Sequence, residues 1–512
     1  MIAIDGKNLT IDQVVRAAQN NVKVVLAPEA IPAIDRAHAW VCEISQGEKA
    51  VYGINTGFGI FSDRPINHTK IAALNRNLIL SHAVGTGPDF LPEITRAAIL
   101  IRANTLAAGH SGIRTVLIEN LLQMLNKNVT PCIPSQGSLG SSGDLAPLSH
   151  LALVLTTDED DREEDSGFAI YQGQRMSGKA AMAASQIERL PLKAKEGLAL
   201  NNGATFSAAI AVLVCDLAET LILTAEVAAA ASLEALLGAS AAFDPRLHQS
   251  RNQIGQIEVA RRIRSLTTES TLLNAAGRVQ DAYSLRCAPQ VQGPARDTLE
   301  FVKQIVTREI NAATDNPLIF GAGEAISGGN FHGEVVGMMM DYLKIALAEL
   351  GAISERRTFQ LTDVKMNAGL PSMLVDHPEA AGLNSGMMMP QYTAASLTLE
   401  NQHLSTPDSI NSLPTSGGKE DHNANSLTAA RHALMIAENA AHILAVELYS
   451  AVRALDIRMR DEPAYKMGIG VAEAYQRIRD QVPYQPGDAW WYPEIEVVKE
   501  MVKAGDLALG NF

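Results

Sequence analysis

Residues 137–150 read GSLGSSGDLAPLSH, with glycines on both sides of the tripeptide Ser141-Ser142-Gly143. Without a Cβ, Gly143 can bring its amide nitrogen close to a neighbouring carbonyl. Attack of that nitrogen on the carbonyl carbon of Ser141 closes a five-membered ring. Loss of one water there and of a second from the Ser142 side chain leaves a methylidene-imidazolone, an electrophile with an exposed methylidene carbon. A plainer account of the same residues is a glycine-serine loop leading into a helix capped by Asp144, and composition by itself favours it. Two other chemistries do not fit the spacing. A hydrolase serine needs G-x-S-x-G between strand and helix, and a phosphate loop needs G-x-x-x-x-G-K-[ST].

Further glycine-rich polar segments punctuate the chain: YGINTGFG at 52–59, SHAVGTGP at 81–88, LNNGAT at 200–205, ISGGNFHGE at 326–334 and PTSGGKEDH at 414–422. Such loops do chemistry when a rigid frame holds them, so the frame is the next question. Helical periodicity runs through 94–126, 335–356 and 426–455, each bounded by Gly, Pro or Asn. The stretch 206–241 is apolar enough to suggest a membrane span, but Asp216, Glu219, Glu226 and Glu234 recur through it, and carboxylates are costly in hydrocarbon. It reads as a helix buried in a bundle. The predicted fold is mostly α, with residues 1–200 as a smaller mixed portion carrying the Tyr52 and tripeptide loops. Residues 201–512 form a long-helix bundle and C-terminal portion.

With 512 residues, 47% of them hydrophobic, the chain can bury a large core. A net charge of −14 lacks the basic footprint that nucleic-acid binding requires. The acidic run 158–165, DEDDREED, reads as a solvated loop rather than a metal site. Cys42, Cys132, Cys215 and Cys287 are too dispersed for a zinc site and fit reduced thiols in a cytoplasmic protein. Asp5, Lys7 and Asp12 stand where a signal peptide would need an apolar run.

The motifs YGINTGFG, NLILSHAVGTG, GSLGSSGDLAPLSH, KEGLALNNG, QDAYSLRCAPQV, EINAATDNPLIF, ISGGNFHGE, GLNSGMM and TSGGKEDH span most of the chain between Val51 and Asp456. In order and approximate spacing they resemble the aromatic amino-acid ammonia-lyase and aminomutase family, and within it the histidine ammonia-lyases most. The resemblance implies an almost entirely helical homotetramer of the fumarase/aspartase-like superfamily, with an elongated central bundle and active sites shared between subunits. It also implies that Ser141-Ser142-Gly143 matures into the methylidene-imidazolone, with no metal or nucleotide.

Ammonia is hard to eliminate from an α-amino acid because the amine leaves poorly and the β-proton is barely acidic. By resemblance, the methylidene carbon contributed by Ser142 answers the first difficulty and Tyr52, as base, the second. A phenol with an ordinary pKa of about 10 is a weak base, so nearby positive potential or donors are expected around Tyr52. Arg286 matches the clamp for the substrate carboxylate, where a planar fork suits a bidentate contact. Asn202, Gln280, Tyr283 and Phe331 match positions around the cofactor or the reacting amine, and Asn202 could donate to the imidazolone oxygen. His82 accompanies imidazole or phenol substrates in the family. Glu420 tilts the choice toward histidine, since a carboxylate suits an imidazole N–H.

Ser141 stands where Ala is usual, Gly417-Gly418-Lys419 replace Ala-Asn-Gln before the glutamate, and Asn423-Ala424-Asn425 follow EDH in place of Val-Ser-Met. Lys419 in particular would oppose an imidazolium. The expected reaction is conversion of L-histidine to trans-urocanate and ammonia. A tyrosine-type lyase or a 2,3-aminomutase with the same electrophile is the alternative. A helical scaffold without activity would have no need of Tyr52, Ser142, Asn202 and Arg286 together.

Overall fold

The runs of helical periodicity become long helices in the computed structural model, which describes residues 1–20 and 22–512. The apolar stretch forms the helix Thr205–Ala235, and the other two long runs form Glu334–Thr362 and Ser426–Asp461, each extending past its periodic segment. The fold is mostly α, as expected. The periodic run 94–126 is instead two helices, Pro92–Ala107 and Thr115–Asn126. Gly109 and Gly112 between them adopt φ of +76° and +71°. A Cβ on Gly112 would lie 2.3 Å from Val41 Cγ2. The left-handed turn and the close approach of another helix both require glycine there.

The chain divides into two compact units assembled from interleaved segments. The first comprises Met1–Asp216, Lys303–Asp341 and Pro407–Arg431; the second comprises Leu217–Val302, Tyr342–Thr406 and His432–Phe512. Four of the five boundaries fall inside helices, and only the one after Thr406 falls in a loop.

The first unit is mixed. Its strands are short: Ile2–Ile4 pairs in parallel with Val24–Leu26, and Thr130–Pro131, Phe168–Tyr171 and Gln174–Ser177 make an antiparallel set. A core cluster of Ala37, Val41, Ile44, Ile54 and Ile319 packs the residues that follow Tyr52 against helix Ile31–Gln46 and strand Leu318–Gly321. The acidic run is only partly the solvated loop its charge suggested. Arg76 Nε donates to Asp158 at 3.1 Å, Arg189 pairs with Asp161, and Arg76 also donates to the backbone carbonyl of Asp165 at 2.8 Å. Arginines distant in sequence gather these carboxylates, which charge patterning alone does not reveal.

The second unit has helices and connecting loops but no strand among its described residues. Two of its buried carboxylates are paired with arginines. Glu447 accepts from Arg357 Nε at 2.5 Å and from the hydroxyls of Ser354 and Ser232 at 2.6 and 2.7 Å, and Arg296 and Arg262 share Glu226. Satisfied in this way, carboxylates sit inside a helix bundle without the cost of an isolated buried charge.

Candidate active site

Tyr52 begins a tight turn. Gly53 follows with φ +72°, and a Cβ there would lie 2.6 Å from Leu198 Cδ2 and 3.1 Å from Pro317 Cδ. This close seating and buried Ile54 fix the half-buried phenol, which meets the Phe58 ring edge-on at 6.5 Å between centroids. Burial is the main effect raising the Tyr52 pKa; a backbone hydrogen bond from Gly59 opposes it, and the charges of Glu420 and Asp315 add to the rise. Of the expected positive potential or donors, this chain supplies a donor, the Gly59 N–H, while the charges acting on the phenol are negative. Asp315 is itself paired with Lys195 at 2.6 Å, both fully buried, so the lysine charge is committed to its partner.

The tripeptide is buried, with Ser141 and Ser142 at 8% and 4% exposure. Gly143 has φ +77°, and the space its Cβ would take is held by Ser426, whose Oγ lies 2.4 Å from the ideal position. The carbonyl of Ser141 accepts from the Gly333 N–H at 2.7 Å. A nitrogen donor without a side chain, set in a left-handed turn, and a carbonyl already polarised by an N–H are the two partners that ring closure needs. The tripeptide thus fits the methylidene-imidazolone precursor. Asp144 makes no side-chain cap to its own helix, Leu145–Leu155. It accepts instead from the backbone N–H and the hydroxyl of Ser207, at 2.9 and 3.0 Å, in the first turn of Thr205–Ala235. Burial pushes its pKa up to about 7 against those bonds.

Glu420 is the group that connects these parts. Its Oε2 lies 3.4 Å from where a Cβ on Gly140 would stand, next to the tripeptide, and Thr415 Oγ1 donates to it at 3.3 Å. Its charge acts on both Tyr52 and His82. His82 ends helix Ile71–His82 with Nδ1 3.0 Å from Ser81 Oγ. Burial lowers its pKa, with a backbone hydrogen bond at Leu78 and the Glu420 charge opposing. Lys419 does not place a free cation beside this pair. Its ammonium donates to Ser62 Oγ at 2.8 Å and Asp63 Oδ2 at 3.0 Å, so its charge is answered on the loop that follows Tyr52.

Asn202 is buried at the end of helix Glu196–Asn201. Phe331 is half-buried two residues before Gly333, whose missing Cβ would meet Ala204 Cβ at 3.1 Å. These two segments therefore pack together beside the tripeptide. Gln280, Tyr283 and Arg286 belong to the second unit. Tyr283 is 71% exposed, the Arg286 guanidinium stacks over its ring at 4.6 Å, and Arg286 Nε is buried with no hydrogen-bond partner. The first unit brings together Tyr52, His82, Ser141-Ser142-Gly143, Asn202, Phe331 and Glu420, and leaves the other three outside it.

Sequence reasoning missed Gly333, Ser207, Ser426 and Asp315. A signal for Gly333 exists in the glycine spacing of GGNFHGE. The serines carry none, since each opens a long helix and looks like any first-turn residue.

Comparison with known proteins accords with this geometry. The family model for aromatic amino acid lyase matches residues 9–480. A histidine ammonia-lyase of Gloeobacter violaceus is 44% identical over 510 residues, covering 99% of this chain and 96% of its own. Among solved structures, a tyrosine aminomutase from Streptomyces globisporus superposes with a TM-score of 0.92 at 33% identity, covering 100% of this chain and 98% of its own. A histidine ammonia-lyase from Trypanosoma cruzi superposes with a TM-score of 0.89 at 35% identity, covering 99% and 94%.

Proposed function

The chain belongs to the aromatic amino acid lyase family and is a carbon-nitrogen lyase, and from that premise we propose that it eliminates ammonia from L-histidine to give trans-urocanate. The observation that carries the choice of substrate is the position of Glu420, whose carboxylate lies beside Gly140 next to the tripeptide and whose charge acts on both Tyr52 and His82.

A methylidene-imidazolone formed from Ser141-Ser142-Gly143 would supply the electrophilic carbon the elimination needs. Tyr52 takes the β-proton at its phenol oxygen. Because burial, Glu420 and Asp315 all disfavour phenolate, the cationic substrate itself provides the positive charge that makes the base available. Glu420 accepts from the imidazole N–H, and His82, held neutral by burial, pairs with the other side of the ring. Asn202 would donate toward the oxygen of that group, and Phe331 would pack beside it.

Arg286 clamps the substrate carboxylate, with Gln280 and Tyr283 beside it, and we place these three in the active site of another subunit of a homotetramer. Exposed Tyr283 supports that arrangement. A cytoplasmic location fits four cysteines that form no disulfide among the described residues.

The tyrosine aminomutase likeness keeps a second reading in view, in which the same site re-adds the amine at the β-carbon. Incubation of purified protein with histidine, tyrosine and phenylalanine separately, with detection of the conjugated acid and of any β-amino acid, decides between them. Urocanate from histidine as the dominant product supports the proposal. Turnover of tyrosine in preference to histidine, or a β-amino acid as main product, overturns it.

A further inference from the structure

Two glycines in different segments are held open for one side chain. Ser426 Oγ lies 2.4 Å from the ideal Cβ position of Gly143 and 2.5 Å from that of Gly333, and Ser426 Cβ lies 3.0 Å from the latter. Gly143 carries the nitrogen that must attack. Gly333 carries the N–H that donates to the carbonyl under attack, at 2.7 Å. Ser426 therefore stands behind both partners of the ring closure. It is also held firmly, as the first residue of the 36-residue helix Ser426–Asp461 and fully buried.

Its hydroxyl is oriented by a chain of bonds. Ser207 Oγ donates to Asp144 Oδ1 at 3.0 Å, which uses its only proton. With Asp144 ionised, the contact of 3.0 Å between Ser207 Oγ and Ser426 Oγ has Ser426 as donor. That bond selects one of the three staggered rotamers open to a serine, and in it the Ser426 oxygen fills the space between Gly143 and Gly333. Without the bond the oxygen could turn away and both backbones could relax.

We propose that Ser426, locked by Ser207, is a positioning residue for maturation of the tripeptide: it presses the Gly143 nitrogen and the Ser141 carbonyl into the arrangement from which the ring closes. This inference rests on the reading of Ser141-Ser142-Gly143 as a cofactor precursor. The chemistry is balanced within the chain. The Gly143 nitrogen bonds to the Ser141 carbonyl carbon, and that carbonyl oxygen leaves as water with the amide hydrogens of Gly143 and Ser142. The Ser142 hydroxyl leaves as a second water with its α-hydrogen. Ser426 gains and loses nothing.

The test follows maturation rather than turnover. Wild type, Ser426→Ala and Ser207→Ala are made by cell-free synthesis, quenched at intervals, and their intact mass and the mass of the peptide spanning 137–150 are read. Urea midpoints of the finished proteins are measured alongside. The Ser426→Ala chain should fold with a midpoint close to wild type yet lose its two waters at least about ten-fold more slowly, since small misplacements of reacting groups cost rate steeply. Ser207→Ala keeps the oxygen but frees its rotation, so it should slow the loss by a smaller factor. Dehydration of Ser426→Ala at the wild-type rate overturns the inference while leaving the cofactor reading intact. A wild-type chain that keeps both waters overturns the cofactor reading and the inference with it. If Ser426→Ala does not fold, Ser207→Ala decides: slowed maturation supports the proposal, and the wild-type rate overturns it.

Discussion

The Ser141 hydroxyl donates to the backbone carbonyl of His422 at 2.8 Å, tying the tripeptide to the loop that carries Glu420. Ala424 reinforces the tie, its N–H reaching the Gly140 carbonyl at 3.4 Å. In Ser141→Ala the hydrogen bond is lost without touching any atom that enters the ring. The two-water mass loss should persist, stability should fall by about 0.5–1.5 kcal/mol, and kcat/KM for histidine should fall several-fold as Glu420 loses its tether. Intact mass, urea denaturation and steady-state kinetics check the three parts separately. An unchanged kcat/KM would show that the tether does not matter to the substrate.

Tyr52→Phe removes one hydroxyl from a ring that keeps its edge contact with Phe58. The fold and the mass loss should remain, and turnover should fall by roughly 10²–10⁴-fold, the usual worth of a positioned base. Because burial, Glu420 and Asp315 raise the pKa of this phenol, the free-enzyme profile of kcat/KM should climb as pH rises from neutrality, and residual activity of the variant should lose that limb. A variant that keeps the alkaline climb would move the base role elsewhere, with Glu420 next in line.

Glu420→Gln and His82→Phe should each reduce histidine turnover far more than any residual turnover of phenylalanine. Each leaves a buried polar partner unmatched, at about 1–3 kcal/mol, which corresponds to roughly 5–150-fold in kcat/KM. Lys419→Gln is the control. Its ammonium is engaged by Asp63 and Ser62 at an exposed site, where such pairs contribute little, so substrate preference should hold. A change of preference in Lys419→Gln equal to that in Glu420→Gln would assign the selectivity to the wrong residue.

Away from the site, Glu234 accepts from the Gly468 N–H at 2.9 Å, and burial pushes its pKa up to about 7. The folded protein therefore holds a proton that the unfolded chain releases near pH 4.5. This contribution to stability is complete below that pH and is lost as pH rises through about 7. Glu234→Gln should flatten that part of the stability profile, an effect on the order of 3 kcal/mol at most. Urea midpoints measured from pH 5 to 8 test it. A fall of the same steepness in the variant would assign the slope to other carboxyl groups.

The helices were legible because their periodicity is local, and the tripeptide because glycines mark it on both sides. The break at Gly109 and Gly112 was not, since a glycine within a periodic run shows its left-handed turn only when Val41 and Ala33 are seen packed against it. At the site, the motifs identified Tyr52, His82 and Glu420 singly. Their mutual electrostatics depend on residues 52, 82, 315 and 420 meeting in space, and so the negative charges that act on the Tyr52 phenol were not visible in the motifs. Lys419 looked like a pocket cation for the same reason, because its partner Asp63 lies 356 residues away.

The interleaving of the two units also sets a clock. Ser141 and the carbonyl it holds are 281 residues apart in the chain, and the first unit is complete only once Pro407–Arg431 has been made. At ordinary rates of synthesis of 5–20 residues per second, the tripeptide waits roughly 15–60 s on the ribosome before its last contacts exist. Through that interval it is ordinary peptide. Under the proposed maturation, a fragment that stops before Pro407–Arg431 lacks the contacts that hold the tripeptide and should keep both waters.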